Sequence, residues 1–121
     1  MTLAEFLREY ERRTNTHRFE EVAPLIADDA TYWFSDGIFQ GKDAIRRAFE
    51  QTWEVIKDEH YTIANVQWLV DEEQASVCTY FFHWQGNVDG EVRQGTGRGT
   101  SVLRKYGDDW KVVHEHLSPL P

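Results

Sequence analysis

The sequence predicts an α+β domain with three helices ahead of a mainly antiparallel sheet. Three observations carry that prediction. The front of the chain places apolar side chains at helical spacing. From His60 onward the pattern changes to long runs rich in β-branched and aromatic residues. Short turn sequences join those runs, so consecutive strands pair with one another, and the helices cover one face of the resulting sheet. The 121 residues correspond to a single domain, residues 1–121.

Residues 2–15 read as the first helix. Thr2, with Glu5 three positions on, has the spacing of a capping box. Leu3, Phe6, Leu7 and Tyr10 share one face. A second, short helix from Arg18 to Ala27 turns Phe19, Val22, Ala23 and Ile26 inward. Pro24 removes one amide donor there and bends it. Ala30 to Ser35 (ATYWFS) has strand composition, and Ser35-Asp36-Gly37 is a turn. After Gly41 a third helix places Ile45, Ala48, Phe49, Thr52, Trp53 and Ile56 on one face. Four long strands follow, at His60–Leu69, Ala75–Gln85, Val92–Lys105 and Trp110–Leu117. Acidic or glycine-rich turns separate them.

Composition narrows the function. The chain carries 21 Asp and Glu against 13 Lys and Arg, a net charge of −8. That balance argues against nucleic acid and against an anionic membrane surface. One cysteine, Cys78, cannot form an internal disulfide and reads as an ordinary buried thiol. No apolar run approaches the roughly 20 residues that span a bilayer, and the N-terminus lacks a signal core. These features predict a soluble, cytoplasmic protein. Aromatic residues make up 14% of the chain, with five Trp, five Tyr and seven Phe. Such a surplus fits a ligand cavity, a subunit interface or simply a ring-rich core.

Three stretches carry a resemblance. They are IADDATYWFSDGIFQGKDAIRRAFE (26–50), GRGTSVLRKYGDDW (97–110) and WKVVHEHLS (110–118). With the helix order, they resemble the nuclear transport factor two-like, or cystatin-like, superfamily and its SnoaL-like branch. The resemblance implies a cone-shaped α+β roll: three N-terminal helices packed on a strongly curved, mainly antiparallel sheet. It also implies an apolar pocket on the hollow side and a homodimer through the convex face. Polyketide cyclases, ketosteroid isomerases, scytalone dehydratases and a kinase association domain share this fold. Two functions are therefore implied. One is cofactor-free acid/base chemistry, as a lyase or isomerase, on a small apolar carbonyl compound. The other is a non-catalytic dimerisation or association module. No metal or cofactor is implied.

Aligned on the isomerase branch, the tyrosine that donates to the substrate oxygen falls on Tyr10. The proton-abstracting carboxylate falls on Phe34, and a second carboxyl falls near Val102. A phenyl ring cannot take a proton, so the steroid-type mechanism is not expected. Tyr10 fits core packing equally well.

Period-two alternation along this resemblance sorts the strands. Tyr32 and Phe34 face the pocket, with Thr31 and Trp33 opposite. Val77, Thr79, Phe81 and His83 face inward on the next assigned strand. Arg98, Thr100 and Val102 do so on the third, and Val113, Glu115 and Leu117 on the last. Phe49 and Trp53 complete the pocket from the third helix. Arg98 and Glu115 would then stand close together, either as a structural ion pair or as an anion-holding arginine beside a catalytic acid/base. The expected catalytic set is Glu115, Arg98, His83 and Tyr10. Tyr80, Phe82 and Trp84 would face outward into a dimer interface. His114 and His116 fall on the convex side. A one-residue register error would bring Tyr80, Phe82, Trp84 and both histidines inward. Glu59 and Tyr61 lie near a pocket mouth.

Overall fold

A computed structural model describes residues 1–121. Helix α1 (Leu3–Thr14) begins at Thr2, where the expected capping box forms. The Glu5 N–H donates to Thr2 Oγ1 at 3.1 Å, and the Thr2 N–H donates to Glu5 Oε1 at 2.7 Å. Two otherwise orphaned amides are thereby satisfied. Phe6, Leu7, Tyr10 and Thr14 form the buried face of α1.

The second helix is shorter than expected. Helix α2 (Phe19–Val22) gives way to a 3-10 turn, Ala23–Leu25, containing Pro24. Without an amide hydrogen, proline cannot extend an α-helical ladder. Strand β1 (Ile26–Phe34) therefore starts well before the predicted Ala30, and β2 (Gly37–Gln40) was not predicted. Helix α3 (Lys42–Val55) matches the periodic segment and buries Ile45, Ala48, Phe49 and Trp53. Then come β3 (Lys57–Asp71), β4 (Ala75–Val88), β5 (Glu91–Tyr106) and β6 (Asp109–Pro119).

The six strands form one sheet in the order β2-β1-β6-β5-β4-β3. All neighbours are antiparallel except β1 and β6. The three helices pack across one side. α3 lies on β1, β2 and β3, while α1 reaches β3. Irregularities bend the long strands. In β3 they fall around Asp58 (φ 53°) and Asn65 (φ 56°), both in the left-handed region that Asp and Asn tolerate. In β6 an extra residue, Val113, is inserted between Val112 (opposite Leu103) and His114 (opposite Val102). The core includes Phe6, Val22, Ile26, Tyr32, Ile45, Leu103 and Val112. Full burial of each such aliphatic or aromatic side chain contributes roughly 1.5–3 kcal/mol.

The register of β4 and β5 differs from the sequence expectation by one residue. Cys78 and Tyr80 are buried, and Phe82 and Trp84 lie on the same inner face. The cause is a run of alternating glycines. Gly95, Gly97 and Gly99 stand directly opposite Trp84, Phe82 and Tyr80. A Cβ at any of the three would overlap the facing ring. The missing side chains let the three rings lie across β5 on its inner face. Arg98, Thr100 and Val102 must therefore point to the convex side, as must Phe81 and His83 on β4. The expected outward placement of Tyr80, Phe82 and Trp84 is overturned for the same reason.

Candidate functional site

Between the helices and the hollow side of the sheet lies a cavity of about 530 Å³. That is within the range of small-molecule sites. Helical and strand periodicity explain its walls. Tyr10 and Thr14 come from one face of α1, four residues apart, and Phe49, Thr52 and Trp53 come from one face of α3. Phe34 on β1 and Phe82 and Trp84 on β4 add rings. Glu59 and Tyr61 come from β3, and Glu115 and Leu117 from β6, each pair two residues apart on one strand face.

Glu115 is 3% exposed. The Tyr80 hydroxyl donates to its Oε1 at 3.4 Å and lies 2.9 Å from Ser101 Oγ. Ser101, not Arg98, is the residue opposite Glu115 across the β5–β6 pair. No salt bridge compensates this carboxyl. Burial consequently pushes it up to about 7, against the pull of the Tyr10 and Tyr80 hydroxyls. Near neutral pH both of its protonation states are populated, as a proton-transfer group requires.

A group of tyrosines surrounds it. The Tyr10 and Tyr32 hydroxyls are 2.8 Å apart. Burial, and next the Glu115 charge, holds the hydroxyls of Tyr10, Tyr32, Tyr61 and Tyr80 well above the ordinary tyrosine range. They therefore remain neutral and can donate.

A second carboxyl lies in the same lining. Glu59 is half-buried, and burial pushes it up to about 7 as well. The end of α1 fixes this part of β3. Asn15 Nδ2 donates to the Tyr61 carbonyl at 2.8 Å, and the Tyr61 N–H donates to Asn15 Oδ1 at 2.7 Å. His17 Nε2 lies 2.8 Å from the Glu59 carbonyl oxygen. Asn15, which caps the end of α1, and His17 just beyond it thus tie the helical roof to the sheet. The buried Tyr61 hydroxyl and Thr14 Oγ1 meet no hydrogen-bond partner within the protein.

Of the residues expected at the site, Tyr10, Phe34, Phe49, Trp53, Glu115 and Leu117 line the cavity. Tyr32 is completely buried and lies behind the lining, against Tyr10, Phe34 and Phe49. Val113 does not line it: at the bulge it packs against the hydrophobic core beside the buried Val112. Arg98, Thr100 and Phe81 line a separate hollow on the convex side, together with His116. Val102 shares that face, as does His83, whose Nε2 lies 2.9 Å from Gln94 Oε1. The expected Arg98–Glu115 pair does not exist. Phe82 and Trp84 were missed in the lining, although the alternating glycines opposite them carried the signal.

The convex side also holds Trp33, 44% exposed, and Phe81, 41% exposed. The Trp33 ring contacts those of His114 and His116, with centroids 5.5 and 5.8 Å away. His114 Nδ1 donates to the Thr31 carbonyl at 2.7 Å. No helix is long and apolar enough to cross a membrane.

The sequence profile of the SnoaL-like domain matches residues 3–121. The chain belongs to that family. No curated protein matches the sequence significantly. Solved structures similar to this SnoaL-like chain share its fold. A nuclear transport factor two-like superfamily protein from Salmonella enterica serovar Typhimurium is 18% identical with a TM-score of 0.88, over 97% of this chain and 87% of that one. A protein of unknown function with a cystatin-like fold from Nostoc punctiforme is 14% identical with a TM-score of 0.84, over 98% and 89%. The association domain of calcium/calmodulin-dependent kinase II from C. elegans is 19% identical with a TM-score of 0.77, over 96% and 92%. The three-helix roof and curved mixed sheet of this SnoaL-like domain are thus those of the cystatin-like α+β fold.

Proposed function

We propose that this SnoaL-like domain binds a small apolar carbonyl compound in its aromatic cavity and moves a proton on it, with Glu115 as acid and base. One observation carries the proposal: a carboxyl 3% exposed, without a cation, in the wall of a ring-lined cavity. Its raised pKa of about 7 matches the task. As carboxylate, Glu115 takes a proton from the carbon next to the carbonyl. The hydroxyl of Tyr10, a lining residue, donates to the enolate oxygen as charge develops there. Glu115 then returns the proton to a different carbon, which isomerises the compound. Alternatively, it protonates a departing hydroxyl, which dehydrates it. The step needs only these side chains and the substrate.

The test is solvent deuterium exchange into phenylbutanone, followed by NMR. The protein accelerates exchange next to the carbonyl, and Glu115→Gln abolishes the acceleration while phenylbutanone still binds. Binding without exchange overturns the catalytic role. Absence of binding by any small ketone, amine or carboxylate overturns the ligand site and favours a non-catalytic association module.

The convex side supports a second role, a homodimer. Exposed Trp33 and Phe81 on one sheet face gain from being covered, and the similar kinase domain is by its own description an association domain. Sedimentation at tens of micromolar checks it, and a clean monomer overturns it.

A further inference from the structure

Charge is distributed unevenly around the cavity. Its lining includes three acidic residues, Asp36, Glu59 and Glu115, and no lysine, arginine or histidine. Other polar lining residues are Ser35, Thr52, Thr96, Ser118 and Tyr10, together with Tyr61 and Thr14, whose hydroxyl oxygens are enclosed. Both residues are 8% exposed, and neither atom has a partner in the protein. Carboxyl-bearing residues therefore line this space from β3 and β6, and rings of Trp53, Trp84 and Phe49 bound it. Glu59 takes part in no salt bridge.

From this arrangement we infer that the ligand carries a basic nitrogen, held as an ammonium by Glu59 against the aromatic wall. The inference rests on the cavity being a ligand site, as proposed above, and adds the substrate class. A carboxylate or phosphate would enter an acidic, partly dry space with nothing to neutralise it. A neutral compound would leave Glu59 without a partner. An ammonium donates its N–H groups to Glu59, and ring faces attract it. The net charge of −8 adds a long-range field of the same sign preference.

Proton linkage gives the inference a signature. Burial holds Glu59 at about 7 in the empty protein, and a bound cation favours its charged form. Amine binding therefore releases a proton near neutrality. Several titratable groups surround Glu59. His17 lies behind it, hydrogen-bonded to its backbone. Tyr61, and Asp58 and His60, are on the same strand. Glu115, Asp36 and Tyr10 share the cavity lining. Glu115 shifts in the same direction as Glu59, so it reinforces the trend.

The experiment compares three probes with one carbon frame, phenylbutylamine, phenylbutanone and phenylbutyrate, by calorimetry. The amine is expected to bind about tenfold more tightly than the ketone, and phenylbutyrate most weakly. Amine affinity should rise about tenfold between about pH 6 and pH 8, with proton release, while ketone affinity stays flat. Glu59→Gln should remove the amine preference and keep ketone binding. A ketone that binds as well as the amine, a pH-independent amine, or a preference that survives Glu59→Gln overturns the ammonium site and leaves the ligand cavity standing. If none of the three probes binds, the cavity itself is not a ligand site.

Discussion

The Tyr80 hydroxyl lies 3.4 Å from Glu115 Oε1, and it is a phenol rather than a cation that faces this buried carboxyl. Stability should therefore depend on pH in an unusual direction for an acid. The folded-state value of about 7 exceeds the ordinary 4.5, so between those values the folded state binds more protons than the unfolded one. Stability is greatest at the acidic end of this window and falls as pH rises to about 7. A shift of this size corresponds to roughly 3 kcal/mol at most. Glu115→Gln should raise the melting temperature above neutrality and flatten its dependence on pH, leaving the slope contributed by Glu59. Melting curves across the window check this, and a wild-type curve that rises toward neutrality contradicts it.

Tyr10→Phe keeps the ring and removes one hydroxyl. Tyr32, 2.8 Å away and fully buried, then loses its partner. The expected cost is about 1–3 kcal/mol in denaturant unfolding. Glu115 should move further upward, because the Tyr10 hydroxyl holds it down. Carboxyl titration by NMR measures that second effect, which a mere packing defect would not produce.

Gly97→Ala tests what sets the sheet register. A Cβ there would overlap the Phe82 ring and the Ser118 carbonyl oxygen, and the latter is backbone that cannot swing aside. A loss of about 1–3 kcal/mol or more is expected. Thr100→Ala, on the opposite face of the same strand, should cost far less. Equal losses would contradict the role of the glycines.

Arg98 separates the two faces. It is exposed on the convex side, so Arg98→Ala should leave probe binding in the cavity unchanged. Phe81→Glu should instead weaken self-association, because it places a charge on the proposed interface. Calorimetry and sedimentation on the two variants decide between an Arg98 that acts at the cavity and one that does not.

The sequence by itself determined the order of the three helices and of five of the six strands, the capping of α1, and the apolar faces of α1 and α3 that carry Tyr10, Phe49 and Trp53. These follow from local periodicity, and helix geometry leaves few alternatives once the spacing is given. It also placed Glu115 and Leu117 on the inner face of β6, through the register that the family resemblance implies. Counting further failed at Val113, because a bulge breaks the alternation and local composition does not announce one. Tertiary structure alone decided the faces of β4 and β5. A strand whose two faces both carry rings can pair in either register, and one residue of slip exchanges every side chain. The choice between Tyr80, Phe82 and Trp84 inside and Phe81 and His83 inside was settled by space on the neighbouring strand, where Gly95, Gly97 and Gly99 leave room for the first set. That contact lies between residues far apart in the chain. For the same reason Glu115 came to face tyrosine hydroxyls instead of Arg98, and Glu59 joined it in the cavity wall.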